Sequence, residues 1–322
     1  METDFPSTFK RWTKWLTSHP VEAGLGAVLF STIVGFYLFY PVMGAGASGL
    51  SALAWLKSSW NQETDYGHGY MVPPLILALL AWGFWKAGPI EREASSARWG
   101  LAVFFFGILL WIVAYRVIQW RMAVGSMCFV IWGAIWYLGG IRAAKISMLP
   151  VFMLALAVPV PGIIQATNGL QVIATQLGYY GAKACGIDCF QSGTNIQSAT
   201  SDKWGFDIAG GCSGVRSLMA MVLIAAVYVY VVNLPMWRRF LLFAAALPLA
   251  ILVNAFRIVT ILVIAEFGSP EFAGGIYHDY ASFFIFPIGL LGMAATHQLL
   301  TLDRRVKKRV VRRMTTSEPP AA

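Results

Sequence analysis

Charge is scarce in this chain. Only 12% of its 322 residues are Asp, Glu, Lys or Arg, while 58% are hydrophobic. A soluble domain carries about 25% charged residues, so an ordinary soluble enzyme with one anchor is excluded. Several windows of roughly 18 or more residues hold no charge at all, the length of a membrane-spanning helix. Cysteine and histidine are few, at four each. No His-x-x-x-His or Cys-x-x-Cys spacing occurs. A metal centre therefore has little support, and no cofactor is expected. Asp65 with His68, and His278 with Asp279, would bind metal only if their loops converged. Repeats of the solenoid or transporter kind are lacking as well. The net charge of +9 does not point to nucleic acid, because seven cations sit together between Arg304 and Arg313, directly after an apolar run. That is the pattern of a cytoplasmic flank beside anionic lipid.

What is present is apolar sequence in blocks. The fold expected is an all-α polytopic membrane protein with about eight transmembrane helices, near 23–43, 70–85, 99–115, 122–140, 146–160, 211–232, 240–265 and 280–302. An even number puts both termini on one side, and Lys10, Arg11 and Lys14 before the first span put that side in the cytoplasm. Of 24 Lys and Arg, this plan places 17 in cytoplasmic segments, five in outer segments (Lys57, Arg116, Arg121, Lys183, Lys203) and two, Arg216 and Arg257, inside spans. Ala45-Gly46-Ala47 has the small residues of a cleavage site. The run before it is too long and the site too far from the N-terminus, so an uncleaved anchor is expected. A single transmembrane domain over 1–303 and a basic cytoplasmic tail over 304–322 follow.

The largest outer segment is about 160–210, after Pro159 and Pro161 end the fifth span. Ile163, Ile164, Leu170, Ile173 and Leu177 recur at helical spacing among Gln, Thr and Asn, which predicts an amphipathic helix on the outer surface. Thr194-Asn195-Ile196-Gln197, a turn at Ser201-Asp202-Lys203, and Trp204-Gly205-Phe206-Asp207-Ile208 predict a β-hairpin.

That hairpin leads into Gly210-Gly211-Cys212-Ser213-Gly214-Val215-Arg216-Ser217, at the mouth of the sixth span. Polar groups there are costly and point to function. Arg216 is four residues from Cys212 and shares its helix face. A helix N-terminus favours a thiolate. Arg257 lies about 18 residues beyond the cytoplasmic Arg238-Arg239, roughly 27 Å along a helix and so in the outer half of the bilayer. Asn254 shares its face. His278 sits in the last outer loop, at the start of the eighth span. A thiol, an arginine and a histidine thus reach one side from three segments. They are the parts of a thiol acyl-transfer site: Cys212 attacks a carbonyl, His278 moves the proton, and Arg257 stabilises the oxyanion or binds a carboxylate.

The chain resembles the exosortase/archaeosortase family of membrane transpeptidases. The matching pieces are Cys212-Ser213-Gly214-x-Arg216-Ser217, Asn254-x-x-Arg257-Ile258, His278 before the final span, and Gly67-His68-Gly69-Tyr70-Met71-Val72-Pro73 leading into an early one. Gly211 departs from the family, where Ala is common. The resemblance implies a nucleophile at Cys212, an arginine role for Arg257 and a histidine role for His278. It implies as partners exported proteins with a C-terminal tail of short motif, transmembrane helix and basic cluster. These are cleaved near the motif at the outer face of the cytoplasmic (inner) membrane and passed to an acceptor.

Other readings stand beside these. His68, also on the outer side before a span, rivals His278. His19 and His297 fall toward the cytoplasm. Arg216 is a second catalytic arginine or, preferably, a structural or substrate-positioning one. Ser213 and Ser217 are rival nucleophiles that need an adjacent base more than a thiol does. Arg257 pairs with Glu266 or Asp207 if it is only structural. Cys128 reads as a buried small hydrophobe. Cys185 and Cys189 read as a bridge or two free thiols, or as partners of Cys212 in a thiol oxidoreductase. A transporter holding an anionic solute on Arg216 and Arg257 is the main alternative function.

Overall fold

The computed structural model describes residues 5–42, 49–61, 66–90, 94–160, 162–199, 203–208 and 214–315. These are mostly helical, with one small sheet, and divide into two compact units, Met1–Pro161 and Gly162–Ala322.

The first unit holds α1 (Phe5–Ser18), α2 (Pro20–Phe39), α3 (Ala52–Ser58), α4 (Val72–Ala87), α5 (Ala94–Val117) and α6 (Trp120–Phe152). Pro20 opens α2 at the first helical position, where a missing N–H costs nothing. Ser51 caps α3 by accepting from the Ala54 N–H at 3.2 Å. Glycines let α5 and α6 touch backbone to backbone. A Cβ on Gly133 would come within 2.5 Å of the Phe104 nitrogen, and one on Gly107 within 2.7 Å of Val130 Cγ2. Close approach at small residues is how helices pack in lipid, where no hydrophobic force drives them together. The buried Tyr37 hydroxyl and Ser126 Oγ, 2.7 Å apart, join α2 to α6.

The fourth and fifth expected spans lie in α6. The helix breaks at Gly140, which takes φ +71, a conformation open chiefly to glycine. The chain then folds back, so that Trp132 Nε1 donates to the Ala144 carbonyl at 2.8 Å. The break falls where the expected spans part, just before Arg142 and Lys145.

The second unit holds α7 (Ile163–Ala184), strands β1 (Cys189–Ser192), β2 (Asn195–Ser198) and β3 (Gly205–Asp207), and helices α8 (Gly214–Val231), α9 (Met236–Ala244), α10 (Ala246–Phe267) and α11 (His278–Thr315). The sheet is antiparallel in the order β1-β2-β3. The expected hairpin is the β2–β3 pair, with Ile196 opposite Phe206; Ser201 and Asp202 of its turn lie outside the described residues. β1 is an addition. Its Phe190 is exposed beside buried Cys189, so it lacks a plain apolar alternation. Gly193, at φ +62, opens the two-residue β1–β2 turn.

Helix α7 forms as expected. Gln171, Ala174, Thr175, Gly178 and Ala182 are buried, while Val172, Ile173, Leu177 and Tyr180 point away from the protein. A Cβ on Gly178 would sit 2.6 Å from Ile258 Cγ2, and one on Gly181 2.6 Å from Val259 Cγ2. The small and polar stripe therefore faces α10 and the apolar stripe faces outward, an arrangement suited to surrounding lipid.

Among the described residues four helical stretches are long and apolar enough to cross a membrane: Gly67–Ala87, Ser96–Val117, Trp120–Ala157 and Met236–Phe267. There are five if α1 and α2, bent by 92°, count as one span. Leu218–Val231 is apolar but shorter. Helices underlie the sixth and eighth expected spans too, α8 and α11, and α11 runs on through the basic segment to Thr315.

Candidate functional site

The second unit brings several of the expected residues to one end. α8 and α11 pack closely, because a Cβ on Gly289 would lie 2.6 Å from Met221 Sδ and 3.5 Å from Val253 Cγ2 of α10. Met221, Val253 and Gly289 thus share one level. From there Gly214 is seven residues back along α8, about 10 Å, and His278 eleven residues back along α11, about 16 Å. Arg257 is four residues forward along α10, about 6 Å. Short connections make α10 antiparallel to both neighbours, so all three displacements point the same way. The sheet lies at that end as well, where Trp204 Nε1 donates to Glu266 Oε2 at 2.8 Å in the last turn of α10. Ile187, Cys189, Ile196, Trp204 and Ile208 form one core with Ile258, Ile261, Leu262 and Ala265 of α10 and with Ala273.

Arg257 and His278 meet directly. Arg257 Nη2 donates to the His278 backbone carbonyl at 2.9 Å. The bond fixes the root of the imidazole against α10. The Nε of the same guanidinium is buried and has no hydrogen-bond partner. Glu266 is engaged by Trp204, and Asp207 Oδ1 accepts from Thr194 Oγ1 at 3.2 Å. Arg257 reaches the histidine segment instead of either carboxylate suggested for a structural role.

The connection before His278 is built to hold it. Ser269 accepts from the Phe272 N–H at 3.2 Å and donates to Glu271 Oε2 at 2.7 Å. That hydrogen bond holds the Glu271 carboxyl below the usual carboxylate range. A π-helical turn, Ala273–Tyr277, follows and delivers His278 as the first residue of α11. Such turns insert one residue into a helix and recur at functional sites. Ala273 is fully buried, and a Cβ on Gly274 would come within 3.0 Å of Phe206 Cε1, so sheet and turn are in contact.

Asn254, one turn before Arg257, is 3% exposed, and its Oδ1 has no hydrogen-bond partner. Cys212 and Ser213 lie outside the described residues. Arg216 and Ser217 belong to the first turn of α8, but their side chains are not among those described.

His68 stands in the first unit. Its Nε2 lies 3.1 Å from the Leu156 carbonyl, and its ring packs 5.3 Å from that of Tyr66. Around it Trp60 Nε1 donates to the Ala157 carbonyl at 2.9 Å, and the Val160 N–H donates to the Tyr66 hydroxyl at 3.2 Å. Gly69 is needed there, since a Cβ would overlap the Trp60 indole. His68 therefore helps clamp one loop of the first unit onto the 156–160 segment.

Cys185 is an exposed free thiol and Cys189 a buried one; Cys128 is free and buried. Burial pushes the Cys189 thiol up. Lys183 opposes that shift, while Asp188 and Glu266 add to it. Among the described residues no group of three His, Cys, Asp or Glu side chains converges as a metal site would.

The Trp204–Glu266 brace and the π-helical turn escape sequence reading. The first joins residues 62 apart, and the second has no composition of its own.

These features define a helical membrane protein whose second unit joins Arg257 to the backbone of His278 at one end. Residues 60–295 match the family model described as transmembrane exosortase, and the chain belongs to that family. No curated protein and no solved structure matches it.

Proposed function

We propose that this exosortase is a membrane cysteine endopeptidase and transpeptidase with eight membrane crossings. Both termini are cytoplasmic, and the site opens to the periplasm or exterior. Its substrates are exported proteins bearing a C-terminal tail of short motif, transmembrane helix and basic cluster. The hydrogen bond from Arg257 to His278 carries this reading, because it couples two of the three residues of the family pattern on separate elements. The third, Cys212, precedes the first turn of α8, which lies at the same end of the unit.

The thiolate of Cys212 attacks the scissile carbonyl and forms a tetrahedral oxyanion. Arg257 carries the donors that suit this charge, and a guanidinium keeps its own charge when partly desolvated. The C–N bond breaks as His278, holding the thiol proton, passes it to the leaving amine. A thioester remains on Cys212. An acceptor nucleophile then attacks it, gives up its proton and restores the thiol. Arg216, Ser213 and Asn254 are supporting residues in this scheme.

The test is processing of a co-expressed exported reporter carrying such a tail. Cys212→Ala should abolish release of the tail. Mild acid quenching of the wild type should trap a reporter adduct that hydroxylamine cleaves. Normal processing by Cys212→Ala would end this reading.

A further inference from the structure

We propose that Asn254 and Arg257 form a main-chain clamp, reading one residue of the extended substrate through its backbone N–H and C=O. This rests on the protease reading above.

Two buried polar atoms lack partners on one face of α10. Asn254 Oδ1, on a side chain 3% exposed, is an unsatisfied acceptor, and Arg257 Nε is an unsatisfied donor. Residues three apart on a helix are neighbours, so both address the same space. Native proteins rarely leave such atoms unpaired, and each exception calls for an explanation. The second nitrogen of the guanidinium is already held by the His278 carbonyl at 2.9 Å, which fixes where Nε points.

One acceptor beside one donor is the complement of a peptide backbone. In an extended chain the N–H and C=O of a single residue turn to the same side, as in the paired rungs of an antiparallel ladder. Asn254 Oδ1 takes the N–H and Arg257 Nε gives to the C=O. Neither contact depends on the substrate side chain.

The need is set by the solvent. An extended segment drawn from the outer face into a buried site loses the water that served its backbone, and apolar surroundings offer no hydrogen bonds in return. An enzyme that binds such a segment must itself supply an acceptor and a donor. A residue that only filled space at 254 would not have to be polar.

Asn254→Leu keeps the volume and removes the acceptor. In detergent its melting temperature should equal or exceed that of the wild type, since an unpaired buried group is gone. Processing of the tail-bearing reporter should fall at least tenfold. A proline scan of the tail then locates the N–H. At one position proline should slow the wild type at least tenfold yet leave the residual rate of Asn254→Leu unchanged. Asn254→Ala serves in the same assays if the leucine variant does not accumulate. Wild-type processing by the position-254 variant, or equal proline penalties in both enzymes at every position, would overturn the clamp. If Cys212→Ala is inactive in that assay while the position-254 variant is normal, only the clamp fails. If Cys212→Ala is active, the protease reading fails first.

Discussion

Arg257 donates to the backbone carbonyl of His278 across a gap of 21 residues in the chain. The contact is with the main chain of the histidine. It therefore sets the position of His278 through the backbone, whatever its side chain does.

Replacing Arg257 by Lys should separate positioning from charge. Lysine keeps the charge but lacks the planar fork, so it cannot hold the carbonyl and present a second donor in fixed geometry. Processing by Arg257→Lys should fall at least about tenfold, the scale of a lost hydrogen bond to a charged group, with the protein still accumulating in the membrane. A rate within twofold of wild type, read from the same reporter, would reduce Arg257 to a generic cation.

Gly178 should tolerate no side chain. Its Cβ would press on Ile258 Cγ2 at 2.6 Å, next to Arg257. Gly178→Ala should force α7 and α10 apart and cost about 1–3 kcal/mol, the usual penalty for overpacking. Melting temperature and processing should fall together. Gly186, with nothing near its Cβ but a φ of +81, is a control in which only backbone strain acts.

The Trp204–Glu266 bond should brace the sheet on α10. Trp204→Phe removes the donor and leaves a carboxylate without it, at a cost of about 1.5–3 kcal/mol for a bond to a charged group. Glu266→Gln keeps an acceptor and should cost less. Limited proteolysis within 185–208 would show the order, with Trp204→Phe cut fastest.

Cys185 and Cys189 should differ in reactivity. In a Cys212→Ala background a polar maleimide should modify exposed Cys185 rapidly at neutral pH. Buried Cys189, its proton held by burial, should react far more slowly there and faster as pH rises. Folding raises the pKa of Cys189, so the folded state keeps a proton that the unfolded state gives up. Stability from this group is therefore full below the ordinary thiol range and is lost as pH rises from that range through the raised value of the folded thiol. Fast labelling of Cys189 at neutral pH would show that the sheet opens.

How legible was this in the sequence? Local patterns served well. The β2–β3 pairing follows the alternation around Ile196 and Phe206, and the apolar blocks locate the helices. Contacts between distant segments were not legible. Ile173 and Leu177 at helical spacing predict a helix but do not say which stripe meets protein. In water the apolar stripe turns inward; in lipid the small one does, as Gly178 shows. The spacing of Asn254 and Arg257 placed both on one face. It did not reveal that Arg257 is bound to the carbonyl of His278 or that Asn254 Oδ1 is left unpaired.

The turn from Ala273 to Tyr277 is pinned at both ends, by burial of Ala273 on one side and by the Arg257 bond to His278 on the other. Its middle, Gly275 and Ile276, is exposed. Such a segment is free in composition but fixed in length. One residue more or fewer would rotate the start of α11 by about 100° and carry the imidazole to a different side. Related chains that keep this site should therefore vary here by substitution and not by insertion or deletion.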